Sequence, residues 1–213
     1  MTTRANNEHA DPSRYGPSAV LTSLEPQERA RLLDVARGAV FDRSGSDFFS
    51  GLAHLLYALV GAELVLIGQI APDDPTKVQT IARYTRGERG VNYTYDLAGT
   101  PCETVVGPAK LCAYPQGIAG IFPDDEELEQ MGAQGYVGLP LFDRSGTMIG
   151  LLALVTTGPI ADVETVSSLL RLMGTRASLE LEYQIAMQSA DSQVDTIAGL
   201  LDDADRALRA ALA

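Results

Sequence analysis

Cys102 and Cys112 are the only two cysteines in this 213-residue chain, and His9 and His54 are its only two histidines. A cysteine does chemistry as its thiolate. Cys102 follows Thr100-Pro101, where a helical turn is expected to start, and backbone N–H groups at such a start lower a thiol pKa. That makes Cys102 a candidate redox thiol, with Cys112 a possible partner in a reversible disulfide. The alternative is a buried structural cysteine. The Cα separation that decides about a disulfide depends on strand geometry, which spacing does not reveal. The scattered cysteines and histidines have no metal-ligand spacing, so no metal is expected. Nor do so few histidines build a serine–histidine–acid site. His54 falls beside an apolar helical stripe and reads as a surface or boundary residue. The acid run Asp124–Glu127 reads as a helix start. The glycines at 117, 120, 132, 135, 138, 146 and 150 mark turns and close packing; no GK[ST] follows them, so they form no phosphate loop. Arg83 and Arg86 are candidate partners for an anion if they face a pocket. Simple strand alternation puts Arg83 on the face of Ile81. A solvated edge is the other outcome.

The elements that must hold these residues can be read from pattern. The chain is 46% apolar, enough for a core, and its formal charge is −12. Phosphate contacts need clustered Lys and Arg, and the nearest cluster, Arg83, Arg86 and Arg89, is interrupted by Glu88, so no nucleic-acid partner is expected. No apolar run nears the roughly 20 residues of a membrane helix. The polar start MTTRANNEHADPSRYGPS has no signal-peptide core. With two cysteines there is no disulfide framework, and a cytoplasmic protein with reduced thiols is expected.

Residues 1–20 are aperiodic and polar, and a disordered tail is expected. A helix is expected from Pro26, with Leu32, Val35, Ala36, Ala39 and Val40 on one face. Ser44-Gly45-Ser46 breaks it, and Ser46 is the expected cap of a second helix carrying Phe49, Leu52, Ala53, Leu56, Leu59 and Val60 and ending at Gly61. Leu64–Ala71 reads as a central strand. A turn at Pro72–Pro75 leads to a second strand, Val78–Tyr84, and Asn92–Tyr95 reads as a short one. Glu103–Val106 is expected to be one helical turn, and Asp124 to cap a short helix stopped by Gly132. Gly135–Phe142 and Thr147–Thr157 form a hairpin through Asp143-Arg144-Ser145-Gly146. Asp162 is expected to cap a last helix with Val166, Leu169, Leu170, Met173 and Ala177 inside. Beyond it, Tyr183, Met187, Ala190, Val194, Ile197, Leu201, Ala204, Leu208 and Ala211 alternate steps of three and four, a heptad seam. It predicts a helix that leaves the domain and pairs with its copy in a dimer; folding back on its own domain is the alternative. The whole is read as α+β, an antiparallel sheet with helices gathered on one face.

The stretch Tyr95–Val155 carries more. It contains YDLAGTPCETVV, then YPQGIAGIFPDD, then GYVGLPLFDRSGTMIGLLALV. This order resembles the GAF domain, a small-ligand-sensing module of bacterial signalling proteins, over about residues 46–187. The resemblance implies a central antiparallel sheet, N- and C-terminal helices packed on one face, and pocket-covering loops on the other. The covering loops would be Tyr95–Val106 and Lys110–Phe122. Tyr95, Leu97, Thr100, Cys102, Tyr114 and Phe122 would line the pocket, Tyr136 would close one end, and Arg83 is added as a possible anion contact. The implied organisation is a tail over 1–20, a GAF-like domain with flanking helices over 21–187, and a coiled-coil extension over 188–213.

Members of that family bind cyclic nucleotides, bilins, haem, small acids or nothing known. Bilin-binding members attach the chromophore to a cysteine beside a histidine or in an aspartate–isoleucine–proline context. Cys102 is followed by Glu103, so a covalent bilin is not expected, and His54 alone does not make a haem site. The GAF-fold free methionine-R-sulfoxide reductases resemble a glycine–valine–cysteine–glycine pattern that this chain lacks. The expectation is therefore a cytoplasmic sensor or regulatory domain, not an enzyme. It would bind an unidentified small molecule and, as a homodimer, relay its state along the C-terminal helix. The effector would be a protein in trans, or a domain in cis beyond Ala213. A thiol-redox role for Cys102 and a ligand-free dimerisation module are the alternatives.

Overall fold

The computed structural model describes residues 44–211. The expected tail over 1–20 and the helix expected from Pro26 lie outside the described residues. The first described element is helix α1 (Gly45–Val60). Strands β1 (Leu64–Ala71), β2 (Asp74–Thr85), β3 (Glu88–Arg89) and β4 (Thr94–Asp96) follow. Next come helix α2 (Glu103–Val106), strand β5 (Cys112–Tyr114), and helices α3 (Ile118–Ile121) and α4 (Glu126–Met131). Strands β6 (Gly135–Phe142) and β7 (Met148–Thr156) lead into helix α5 (Val163–Ala211).

The strands form one antiparallel sheet in the order β3-β2-β1-β7-β6-β5, with β4 also paired to β2. Both faces are covered, which is why β1 and β7 read as unbroken apolar runs. Successive side chains still go to opposite sides. On β7, Leu152 and Leu154 join the core under the helices, while Leu151, Ala153 and Val155 join a second core under the loops. On β1, Val65 and Ile67 take the helix side and Leu64 and Leu66 the loop side.

The helix-side core is closed by Phe48, Phe49, Leu52 and Leu56 of α1 and by Val166, Leu170, Ala177 and Leu181 of α5. Fully burying each large apolar side chain contributes about 1.5–3 kcal/mol, so this layer fixes how α1 and α5 sit on the sheet. Gly61 ends α1 in a left-handed conformation, φ 69°, and its N–H donates to the Tyr57 carbonyl. The expected Ser46 cap is corrected: the cap position falls two residues earlier, at Ser44, which makes no side-chain bond. The Gly45 N–H instead donates to buried Glu180 on α5 at 2.5 Å, so a distant helix supplies the acceptor that a local cap would have given.

Two other caps separate a correct expectation from a near miss. The Asp162 carboxylate accepts from the Thr165 N–H at 2.9 Å and starts α5 as expected. For α4 the cap is Asp125, accepting from the Leu128 N–H at 3.3 Å, not Asp124. The β6–β7 turn is set by Asp143, which accepts from the N–H groups of Ser145 and Thr147 at 2.9 and 2.8 Å. Those bonds, with the Ser145 hydroxyl foremost, hold its carboxyl below the usual range.

Strand β2 runs further at both ends than Val78–Tyr84, and β4 sits one to two residues later than Asn92–Tyr95. The placement of Arg83 on the face of Ile81 is also corrected. Ile67 pairs with Ala82 and Gly68 with Thr80, so Ile81 is the extra residue of a β-bulge. The bulge resets the alternation. Ile81, Ala82 and Tyr84 pack toward the helices, and Arg83 reaches the loop side.

Helix α5 is continuous over 49 residues, roughly 73 Å at 1.5 Å per residue. Its first half is seated on β6 and β7, and from Ala186 onward every described side chain is exposed. Tyr183, Met187, Val194, Ile197 and Leu201 of the seam are exposed, as is Leu200 beside it. The seam positions Ala204, Leu208 and Ala211 lie outside the described side chains. No helix among the described residues is long and apolar enough to cross a membrane.

Candidate functional site

A cavity of about 240 Å³ lies between the loop face of the sheet and the loops that cover it. Its floor is a row across three strands. Leu64 of β1 pairs with Val155 of β7, which pairs with Tyr136 of β6, and all three line the space. Tyr93, Tyr95 and Asp96, in and just before β4, form one side, and Thr100-Pro101-Cys102 form another. Asp125, Glu127 and Leu128 come from the start of α4. β4 reaches this place because its register on β2 pairs Val78 with Tyr95. Thr80 fixes the same segment from inside: its hydroxyl accepts from the Tyr93 N–H at 2.7 Å.

Four of the eight expected residues meet here: Tyr95, Thr100, Cys102 and Tyr136. Leu97, Tyr114 and Phe122 do not line the space. Leu97 is buried in the loop-side core. Tyr114 stands edge-on to Phe122 at 5.5 Å and 6.2 Å from the Tyr136 ring, so this pair supports the wall. Arg83 borders a separate shallow recess with Thr85, Arg86 and Gln130. Its guanidinium is taken up by an ion pair with Glu127 and lies 5.4 Å above the Tyr93 ring. Tyr93 in turn donates its hydroxyl to Glu127 at 2.9 Å.

Leu64 and Val155 of the floor, and Tyr93, Asp96, Asp125, Glu127 and Leu128, were not anticipated. The floor row is legible only once strand order is known. The acidic wall depends on α4 folding back over β4, a contact that leaves no local sequence signal.

The polar groups of the cavity are mostly spent on the protein itself. The Thr100 hydroxyl donates to the Leu97 carbonyl at 2.8 Å, and the Tyr136 hydroxyl to the Cys102 sulfur at 3.4 Å. The Tyr95 hydroxyl is buried with no hydrogen-bond partner. Burial pushes the phenols of Tyr93, Tyr95 and Tyr136 up. The neighbouring Cys102 thiol adds to the rise at Tyr95, although no hydrogen bond of ordinary geometry joins the two. Burial also raises the Cys102 thiol, against the lowering hydrogen bond from Tyr136. The expectation that a helix start activates this cysteine is therefore corrected. Helix α2 is four residues long, and the desolvation of the thiol outweighs what its N–H groups offer. Cys112 donates its thiol to the Thr104 carbonyl at 2.8 Å, and both cysteines are free. His54 is exposed and stacks on Tyr84 at 4.7 Å.

Three carboxylates border the cavity, and they differ. Asp96 pairs with Lys77 at 3.3 Å, and Glu127 with Arg83. Asp125 is half-buried, and burial raises its carboxyl above the usual range, with the Leu128 N–H the one group opposing that shift. Among the described residues no three His, Cys, Asp or Glu side chains come together as metal ligands.

Comparison with known proteins places this geometry. No curated protein matches the sequence. Among solved structures, the chain resembles the GAF domain from an Acinetobacter phosphoenolpyruvate-protein phosphotransferase, with a TM-score of 0.57 at 12% identity, over 78% of this chain and 99% of that one. It also resembles the photosensory core module of a Stigmatella aurantiaca phytochrome, with a TM-score of 0.58 at 13% identity, over 82% of this chain and 41% of that one. A bacteriophytochrome from R. palustris matches with a TM-score of 0.56 at 11% identity, over 80% of this chain and 42% of that one. The chain thus spans less than half the length of these two phytochrome structures, and identities this low speak to fold alone. The family model for the GAF domain matches residues 27–181, most of the chain, and with the antiparallel sheet, the helix layer and the loop-covered cavity it establishes that this protein belongs to the GAF domain family of sensor and regulatory modules.

Proposed function

We propose that this chain is a cytoplasmic small-molecule sensor that reports occupancy of the cavity through α5 to a partner protein, as a homodimer. One observation carries the reading: the floor of the cavity and the seat of the helix are opposite faces of the same two strands. Tyr136 and Val155 face the cavity. Their neighbours Val137 and Leu154 lie in the core under α1 and α5. A ligand that binds one tilt of these strands better than another shifts the balance between helix arrangements by its differential affinity. The exposed seam from Tyr183 to Leu201 is the surface through which two such helices would pair. The reading assigns the chain binding and relay and no chemistry of its own. The thiol-redox alternative has less support, because Cys102 is buried and its thiol is pushed up, which disfavours the thiolate.

Native mass spectrometry of freshly purified protein, followed by the same sample denatured, tests this. A dimer carrying extra mass that is lost on denaturation is expected, and a bare monomer would refute the relay. Truncation of residues 190–213 should then convert dimer to monomer. A shortened chain that dimerises as tightly as before removes the seam from the mechanism.

A further inference from the structure

The charges around the cavity select the kind of molecule that fits it. An anionic ligand needs an available cation at the wall. The one arginine near the cavity, Arg83, is ion-paired with Glu127 and lies over Tyr93. Its Nε is buried without a partner, but Arg83 borders the separate recess and does not line this cavity. Lys77 is held by Asp96. Hydrogen-bond donors are scarce for the same reason. The hydroxyls of Tyr93, Thr100 and Tyr136 donate to Glu127, Leu97 and Cys102, and the Tyr95 hydroxyl is enclosed.

What remains at the wall is an acceptor. Asp125 is the one bordering carboxylate with no cation beside it among the described residues. It sits half-buried where its charge is felt by Tyr93, Tyr95 and Cys102. The two tyrosine rings stand 5.7 Å apart. Aromatic faces beside a desolvated carboxylate favour a cation, by ring electrostatics and by direct pairing. Size follows from volume: a dry apolar cavity of about 150 Å³ takes benzene, so this one takes roughly ten non-hydrogen atoms.

We infer that the cavity binds a small primary amine with an apolar, ring-sized body, its ammonium held by Asp125 beside the Tyr95 ring and its body on Leu64, Leu66 and Val155. This rests on the cavity being the ligand site of the sensor, and it names the class of ligand.

Calorimetric titration of the full chain at pH 7.5 with three probes of matched size tests it: 2-phenylethylamine, 2-phenylethanol and phenylacetate. The amine should bind at least about tenfold more tightly than the alcohol, the order expected of a charge-assisted contact, and phenylacetate should bind most weakly. Asp125→Asn should bring amine and alcohol to within about twofold. Asn caps a helix about as well as Asp, so this variant keeps α4, which circular dichroism checks.

Phenylacetate binding as tightly as the amine would overturn the inference. So would an amine preference that survives Asp125→Asn, or binding by none of the three probes. The relay is read separately, by hydrogen exchange along α5 with and without the amine. Binding that leaves this exchange unchanged defeats the relay and not the ligand class.

Discussion

Replacing Tyr95 by phenylalanine should make the empty protein more stable. The Tyr95 hydroxyl is buried without a partner, and a buried polar group left unpaired costs about 1–3 kcal/mol. Removing it leaves a void of about one oxygen atom, which at about 24 cal/mol per Å³ returns a few tenths of a kcal/mol. The net expectation is a gain of about 1–2 kcal/mol. With a urea m-value near 2 kcal/mol/M, that moves the unfolding midpoint up by about 0.5–1 M. The chain has no tryptophan, so the transition is followed by far-UV circular dichroism, at fixed protein concentration because dimers unfold by mass action. Tyr136→Phe is the control, the same chemical change a short distance away. It removes a made O–H···S bond at 3.4 Å and should cost about 0.5–1.5 kcal/mol. Opposite signs for the two variants are the signature. A Tyr95→Phe midpoint below that of the wild type would mean that the hydroxyl is satisfied, and the description of the cavity wall would fail.

Asp125→Asn should stabilise the ligand-free protein at neutral pH and lose that advantage in acid. Because burial raises the folded-state value above the ordinary aspartate value of 3.8, the folded state binds the proton more readily, and the wild type loses stability as pH rises through that window. The gap between variant and wild type in urea should therefore shrink as pH falls toward 3.8, and a gap that widens in acid would contradict the assignment. Gly150→Ala should lower the urea midpoint strongly, since a Cβ there would meet the Gly68 carbonyl oxygen at 2.3 Å and Leu181 at 2.7 Å; overpacking of this kind costs about 1–3 kcal/mol, and a neutral outcome would show that β1 and β7 are not held this close. Glu180→Ala should lower the melting temperature, because it strips the acceptor from the Gly45 N–H and from Arg176 at about 1.5–3 kcal/mol for bonds to a charged group; an unchanged melt would show that α1 and α5 do not depend on this link.

Much of the fold was legible because its signals are local. The Asp162 cap, the left-handed Gly61 and Gly132, and the Asp143 turn each announce themselves within four residues. Where two residues offer the same signal, pattern alone misplaces it: Asp124 and Asp125 are adjacent aspartates, and only the Leu128 N–H distinguishes them. β5 and α3 were missed altogether, being three and four residues long, too short to show a period. The site divides the same way. Tyr95, Thr100, Cys102 and Tyr136 were found by position in a recognisable motif. Tyr93, Asp125 and Glu127 were not, because they come together only when α4 lies over β4. Leu97, Tyr114 and Phe122 have the composition of a pocket lining but are used one layer behind it. Neither residue type nor burial separates the two roles, since Cys102 and Tyr136 line the cavity and are as buried as Leu97 behind it; position in the assembled sheet does.

The bulge at Ile81 has a consequence for how this protein can change over evolutionary time. Ile67 pairs with Ala82 and Gly68 with Thr80, so a strand without Ile81 would still alternate in step, with Val78 and Thr80 toward the loops and Ala82 and Tyr84 toward the helices. The spare residue can therefore absorb the loss of one residue from β2 at the cost of one apolar contact. A second loss has nothing to absorb it and would turn the strand over on one side of the gap, driving Arg83 into the apolar layer or taking Val78 and Thr80 from the loops. Length in this strand is buffered by one residue and no more, and descendants that change it further should do so in the turns at its ends.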